Sequence, residues 1–186
     1  MMSMLSQSAK DGFDLLLTQS LKNSVVPSGT EAHIVTLPDI TDIPEKQIVV
    51  LTVSSYLFRL MVMFYFTPDP QTRTHFARLN NIDEAEMSEQ SFMDAIAESG
   101  NLCCGILNRD LGNFFPHIGM STPNVIDRNC AHYLQKLNSQ HVQHFAVERD
   151  GVPRFHVSLC VSAYADIDFA VSEEALGSDT GELELF

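Results

Sequence analysis

The chain has 186 residues, of which 45% are hydrophobic and 19% are charged, and its formal net charge at pH 7 is −13. This length and composition are typical of one globular domain with a substantial core, and they exclude an intrinsically disordered chain. The strong negative charge argues against a protein that binds nucleic acid or an anionic membrane surface.

The N-terminal part of the chain predicts a helix and then a short strand. Apolar residues recur at helical spacing over residues 8–25, and Asn23 and Ser24 supply a stop signal. A turn at Pro27 precedes a candidate strand, His33–Leu37. The first residues lack the long apolar core of a signal peptide, so the sequence indicates a cytoplasmic protein.

The segment 48–66 is almost continuously apolar and is long enough to span a bilayer. Arg59 lies near its middle, where an arginine costs about 2.5–3.5 kcal/mol on membrane-insertion scales. The segment is rich in Val, Ile, Phe and Tyr, so we predict two buried strands, 48–53 and 56–66, instead of a transmembrane helix. Strands that are apolar on both faces are covered on both sides by their own chain, or on one side by a partner subunit. The second alternative predicts a homodimer.

The rest of the chain predicts two helices, an irregular strand, a further short helix and a hairpin. Thr67-Pro68-Asp69 precedes a short helix over 72–79, and Ser88 is the N-cap of a long helix that ends near Leu111. The elements that follow are an irregular strand over 116–126, a short helix over 127–137 that Asp127 caps, and two strands, 141–148 and 155–163, around an Asp-Gly turn.

This order of elements predicts an α+β fold, with an antiparallel sheet packed against helices and the long helix on one face. We predict a single domain over residues 1–170. Beyond Arg154 the chain has no Lys or Arg, while seven acidic residues follow, so 171–186 is predicted to be a solvated acidic tail.

The four cysteines have no spacing typical of a disulfide framework. Cys103 and Cys104 are adjacent in the long helix, where neighbouring side chains diverge by about 100° and cannot easily form a disulfide. Cys130 and His132 lie close together in sequence, but no second Cys or His pair completes a zinc site. We therefore expect reduced thiols, and neither a metal nor a cofactor bound by this chain.

The long helix carries the most informative pattern. At about 100° per residue, one stripe contains Asp94, Glu98, Asn101, Gly105 and Asn108. The opposite side carries the apolar residues Phe92, Ile96, Cys103 and Leu107. One face is therefore predicted to be buried, while the other presents a carboxylate and a carboxamide one turn apart. Such a pair can bind a partner, and the alternative is an ordinary polar stripe that faces solvent.

The sequence has no dinucleotide-binding glycine motif, P-loop, serine-hydrolase elbow or zincin motif. Instead, Glu98-Ser-Gly-Asn101, with Asp94 before it and Pro123 on the following strand, resembles the signature of the CheC/CheX/FliY family of chemotaxis phosphatases. Gly105 continues the pattern, and the segment 127–137 is predicted to be an insertion. The chain carries one copy of the motif, which makes it more similar to CheX than to CheC.

The resemblance implies a hydrolase that acts on the phospho-aspartate of a CheY-like response regulator. Asn101 would position the attacking water, because a carboxamide both donates and accepts hydrogen bonds without titrating. Glu98 would pair with a lysine of the regulator, and Mg²⁺ would be bound by the regulator instead of this chain. Asp94 would anchor the N-terminal end of the motif helix, and Pro123 would have a structural role. The resemblance to CheX also favours a homodimer.

Two glycines lie inside the motif helix, where a glycine costs about 1 kcal/mol relative to alanine. We attribute Gly100 and Gly105 to close approach by the backbone of the partner. The alternative function is a binding or scaffold module that docks a signalling protein without hydrolysis. In either case Arg149 or Arg154 are candidates to contact an acidic pocket of the regulator. The presence of both motif side chains favours the enzyme.

Overall fold

The computed structural model describes residues 4–27 and 29–172, apart from the side chains of residues 134 and 135. The helices are α1 (Gln7–Ser24), α2 (Pro70–Leu79) and α3 (Glu89–Leu111), with 3-10 helices at Glu84–Glu86 and Arg128–Leu137. The strands are β1 (His33–Leu37), β2 (Gln47–Ser54), β3 (Phe58–Phe66), β4 (Gly119–Met120), β5 (Asn124–Asp127), β6 (His141–Arg149) and β7 (Val152–Ala163).

The strands form one sheet in the order β1-β6-β7-β3-β2-β4, and β5 also pairs with β2. All of these pairings are antiparallel, so the predicted α+β fold with an antiparallel sheet is confirmed. The apolar segment 48–66 lies in β2 and β3, as predicted, and the described part of the chain has no helix long and apolar enough to cross a bilayer. The predicted irregular strand over 116–126 consists of two short strands, β4 and β5, on the edge of the sheet.

Helices α1 and α3 cover one face of the sheet and form the larger core with it. Phe13 of α1 packs edge-on against Phe58 of β3, with ring centroids 5.5 Å apart, and it also stacks near Phe115, which follows α3. Both helices bury the apolar side that their spacing predicts. α3 is therefore fixed against the sheet along its length, and its other face is directed away from the core.

The opposite face of the sheet has a second, smaller core, formed by Ile40, Ile48, Met63 and Tyr65. The irregular segment 38–46 and the 3-10 helix Arg128–Leu137 contribute to this core and cover it. Arg128 ties the two together, because its Nη2 donates to the carbonyl oxygens of Ile40 at 2.7 Å and Thr41 at 3.2 Å. Strands β2 and β3, which are apolar on both faces, are thus covered on both faces by their own chain, and this coverage does not require a partner subunit.

Local signals account for the ends of several elements. Asp127 caps the 3-10 helix that follows it, since its Oδ1 accepts from the backbone N–H of Asn129 at 2.8 Å. Asp150 and Gly151 both have positive φ, 55° and 71°, as a two-residue hairpin turn between β6 and β7 requires. The predicted helix over 127–137 is a 3-10 helix and not an α-helix.

The first and last segments of the described chain meet beside α1. Leu5 forms a parallel bridge with Ile167, and Phe169 packs against Phe13 with ring centroids 4.9 Å apart. Val171 still packs against the larger core. The remainder of the predicted acidic tail, 173–186, lies outside the described residues.

Candidate functional site

α3 begins where the sequence predicts. Ser88 is its N-cap, and its Oγ accepts from the backbone N–H of Ser91 at 3.0 Å. The guanidinium of Arg73 on α2 donates to the carbonyl oxygen of Met87 and lies 5.5 Å from the centre of the Phe92 ring. The start of α3 is thus fixed both by its own cap and by α2.

The prediction that α3 has one buried apolar side and one polar side is confirmed. The predicted apolar side is buried and consists of Phe92, Ile96, Cys103 and Leu107. On the other side Asp94 and Glu98 are exposed, and Asn101, Gly105 and Asn108 are half-buried.

Glu98 and Asn101 lie together in a shallow depression of about 360 Å³. Its floor and walls come from the exposed face of α3 and from β4, through Leu102, Gly105, Ile106, Arg109 and Met120. Leu102 has 51% of its surface exposed beside the motif residues. A carboxylate and a carboxamide therefore share one open surface with apolar side chains around them.

A second depression, of about 220 Å³, lies on the other side of Glu98 and Leu102. It is lined by residues at the C-terminal ends of α1 and α2, among them Asn23 and Asn80. Glu98 and Leu102 thus form a ridge with a shallow depression on each side. A partner with a groove that fits over this ridge can contact α3 and the ends of the other two helices at the same time.

The side chains of Glu98 and Asn101 make no hydrogen bond or ion pair within residues 4–27 and 29–172. Asp94 differs, because its Oδ1 accepts from Gln90 Nε2 at 2.8 Å. A half-buried carboxamide without an internal partner keeps its donors and its acceptor free for an external group. The pair is therefore available for binding without first breaking contacts inside the protein.

One predicted role on α3 is wrong. Gly100 is buried and faces the sheet, where a Cβ atom would lie 3.0 Å from Leu51 Cδ1, so it serves close packing of helix on sheet and not approach by a partner. Ser88 caps the start of the helix, and Asp94 contacts Gln90 in its first turn, so the anchoring role of Asp94 stays a prediction. Gly105 has open space where its Cβ would be, and close approach by a partner remains a prediction for it.

The role of Gly100 predicts that Gly100→Val destabilises the protein by about 1–3 kcal/mol, because the larger side chain would overpack the space between helix and sheet. A Cβ atom at position 100 would also lie 3.4 Å from the Phe64 ring. Chemical denaturation measures the free energy of unfolding, and Gly105→Val is the matched control, since nothing lies within 4 Å of its Cβ position. Equal destabilisation by both variants would contradict the packing role of Gly100.

Other predicted residues do not line the depression around Asn101. Pro123 precedes β5 at the edge of the sheet and does not line the depression, which fits a structural role. Arg149 and Arg154 lie in the β6–β7 hairpin, where both approach Asp150, and neither lines the depression. Sequence reasoning missed Met120, which only the pairing of β4 with β2 brings beside α3.

The buried thiols next to the motif are chemically inert. Burial raises the pKa of Cys103 to about 12 and also raises that of Cys104, so neither is a thiolate at neutral pH. All four cysteines are free thiols. No cluster of His, Cys, Asp or Glu in the described part of the chain could hold a metal ion.

No family model and no curated protein matches the sequence. Among solved structures, the chain is similar to a CheC-like superfamily protein from Shewanella sp. PV-4, with a TM-score of 0.54 and 10% identity over 82% of this chain and 96% of that one. It is also similar to the chemotaxis protein CheX from Vibrio vulnificus, with a TM-score of 0.55 and 13% identity over 81% and 96%.

A third similar structure is the complex of CheX with CheY, BeF₃ and Mg²⁺ from Borrelia burgdorferi. The TM-score is 0.54, with 12% identity over 80% of this chain and 94% of that one. At these identities the comparisons establish the fold. This chain has the fold of CheX and CheC-like proteins, as the resemblance of its motif implies.

Proposed function

We propose that this chain is a phosphatase that docks on a CheY-like response regulator and hydrolyses its phospho-aspartate. The observation that carries the proposal is the placement of Glu98 and Asn101. They lie one turn apart on the open face of α3, without partners in the described chain, on a fold shared with CheX. The structure of CheX bound to CheY supports a regulator of that class as the partner.

Asn101 is proposed to orient the attacking water. The water oxygen attacks phosphorus in line with the bond to the aspartyl oxygen, that bond breaks, and the products are the free carboxylate and inorganic phosphate. The carboxamide can accept a hydrogen bond from the water and donate another to a phosphoryl oxygen without changing its protonation state. The catalytic contribution is therefore positioning, which converts a diffusing water into an oriented reactant.

Glu98 is proposed to hold the regulator in register. It is exposed one turn before Asn101, so a lysine of the regulator that pairs with it would fix the distance between Asn101 and the phosphoryl group. Mg²⁺ belongs to the regulator in this proposal, and it would neutralise charge on the phosphoryl oxygens. A cytoplasmic location and a homodimer are further parts of the proposal, and the homodimer now rests on the resemblance to CheX alone.

The experiment that tests docking is a binding titration of the chain against a response regulator activated with beryllofluoride and Mg²⁺. We expect binding to the activated regulator that exceeds binding to the same regulator without beryllofluoride. Binding without any acceleration of dephosphorylation would favour the scaffold alternative. Equal or absent binding in both states would contradict the proposed partner.

Leu102 is expected to contribute to docking, because its exposed apolar side chain stands beside both motif residues. Leu102→Gln should raise the KM for the phosphorylated regulator about fivefold and leave kcat unchanged, since roughly half of a leucine side chain would no longer be buried by the partner. Val152→Gln is the matched control, because Val152 is 43% exposed and does not line the depression. An unchanged KM in Leu102→Gln would exclude Leu102 from the docking surface.

A further inference from the structure

A larger pocket lies at the N-terminal end of α2, away from the phosphatase motif. It encloses about 660 Å³ and is bounded by the residues before β2, the segment that joins β3 to α2, and the start of β7. Three prolines line it, namely Pro44, Pro70 and Pro153. Because the φ angle of proline is fixed, the backbone at these positions is rigid. Its volume is within the range of small-molecule sites, which is about 300–1,000 Å³. We refer to it as the α2 pocket.

Buried polar atoms without a hydrogen-bond partner concentrate in the residues that line this pocket. Among the described residues, six buried side-chain atoms have no hydrogen-bond partner, and three of these six belong to residues that line the α2 pocket. The three are Glu45 Oε2, Thr67 Oγ1 and Arg154 Nε. A buried polar group without a partner is costly, and more so if it is charged, so native structures pair such atoms with protein, water or ligand.

The Glu45 carboxylate is held in place by a histidine. Glu45 and His156 are each 7% exposed, and His156 Nδ1 donates to Glu45 Oε1. This contact fixes the orientation of the carboxylate and leaves Oε2 without a donor. The other carboxylate of the pocket, Asp69, is already occupied, because its two oxygens accept from the N–H and the hydroxyl of Thr72 at 2.9 and 3.1 Å. Glu45 is thus the acceptor that an incoming group would meet.

The Arg154 guanidinium is also held in place, by hydrogen bonds that its two Nη atoms donate. Nη1 donates to Gln71 Oε1 at 3.2 Å, and Nη2 donates to the carbonyl oxygen of Arg149 at 3.3 Å. Nη2 also lies 3.8 Å from the carboxylate of Asp150. These contacts leave Nε as the donor without an acceptor. The pocket therefore combines an oriented anionic acceptor, an oriented cationic donor and the Thr67 hydroxyl, which can serve as either.

We propose that the α2 pocket binds a small zwitterionic molecule, with an ammonium group on Glu45 and a carboxylate group on Arg154. Both hydrogen bonds would be charge-assisted, which is the strongest form available to these side chains. Thr67 would bond one of the two groups and set their spacing. A metal ion does not fit, because no cluster of metal-ligating side chains exists among the described residues. This site is independent of the proposed phosphatase activity.

The probes are glycine, β-alanine and 4-aminobutyrate, which carry the same two charged groups at increasing separation. NMR titration of the full chain is expected to show that at least one of them shifts the signals of the His156 ring and of the Arg154 Nε–H group. Ethylammonium and acetate, which each carry one of the charges, should bind more weakly. Failure of all three zwitterions to shift these signals at their highest soluble concentrations would overturn the proposal.

Variants separate a specific site from a general effect of ionic strength. Thr67→Val removes only the hydroxyl and Arg154→Lys removes the Nε donor, and each should weaken binding of the best zwitterion about tenfold. Thr74→Val is the matched control, because Thr74 lies on α2 with its hydroxyl bonded to the Pro70 carbonyl at 2.8 Å and does not line the pocket. Equal weakening by Thr67→Val and Thr74→Val would also overturn the proposal.

Discussion

Asn101→Ala is expected to reduce kcat for dephosphorylation of a CheY-like regulator about a hundredfold, because the attacking water would lose its orientation. The KM should change little, since Glu98 and the apolar side chains around it remain. The melting temperature should also stay the same, because the Asn101 side chain makes no hydrogen bond within the described part of the chain. Single-turnover decay of the phosphorylated regulator at saturating concentrations of each variant measures this effect.

Asn108→Ala is the control for this variant. Asn108 lies on the same stripe of α3, two turns further along, but it does not line the depression around Glu98. Its Oδ1 is buried without a partner, so its removal should not reduce stability. A similar loss of rate in both variants would indicate a general effect on α3, and an unaltered rate in Asn101→Ala would exclude it as the positioning residue.

Glu98→Lys is expected to have the second large effect, on docking. If Glu98 pairs with a lysine of the regulator, the substitution places two like charges together, and the KM should rise about a hundredfold. The kcat at saturation should change much less, because Asn101 is retained. The salt dependence of KM provides a further readout, since repulsion between exposed charges is screened as ionic strength rises.

Asp94→Lys makes the same charge change one turn earlier on the same exposed stripe. Asp94 does not line either depression beside Glu98, so a much smaller rise in KM is expected. If the two variants raised KM equally, a diffuse electrostatic effect would explain the data and a specific contact through Glu98 would not.

Several elements could be predicted because their signals are local. Ser88 places the start of α3 through one side-chain hydrogen bond, and the Asp150-Gly151 pair places the β6–β7 turn through its positive φ angles. The buried and exposed sides of α3 follow from spacing alone, since helical periodicity determines which residues share a face. These signals were sufficient for the fold class and for the placement of Glu98 and Asn101 on one face of α3.

The features that the sequence did not predict correctly depend on contacts between segments that are distant in the chain. Gly100 is on the sheet side of α3, and only the positions of Leu51 and Phe64 show that a Cβ atom would be crowded there. The segment 38–46 has no periodicity, so its role as a cover for the second face of the sheet could not be predicted. The α2 pocket likewise depends on three separate segments that tertiary packing brings together.

The most direct test of the proposed function is the rate at which a Mg²⁺-loaded, phosphorylated response regulator loses its phosphoryl group, with and without this chain. The regulator is supplied in excess, so that each molecule of the chain must act repeatedly. We expect faster loss of the phosphoryl group in proportion to the amount of the chain, with complete conversion of the regulator. Identical decay with and without the chain, under conditions in which the two proteins bind, would contradict the proposed function.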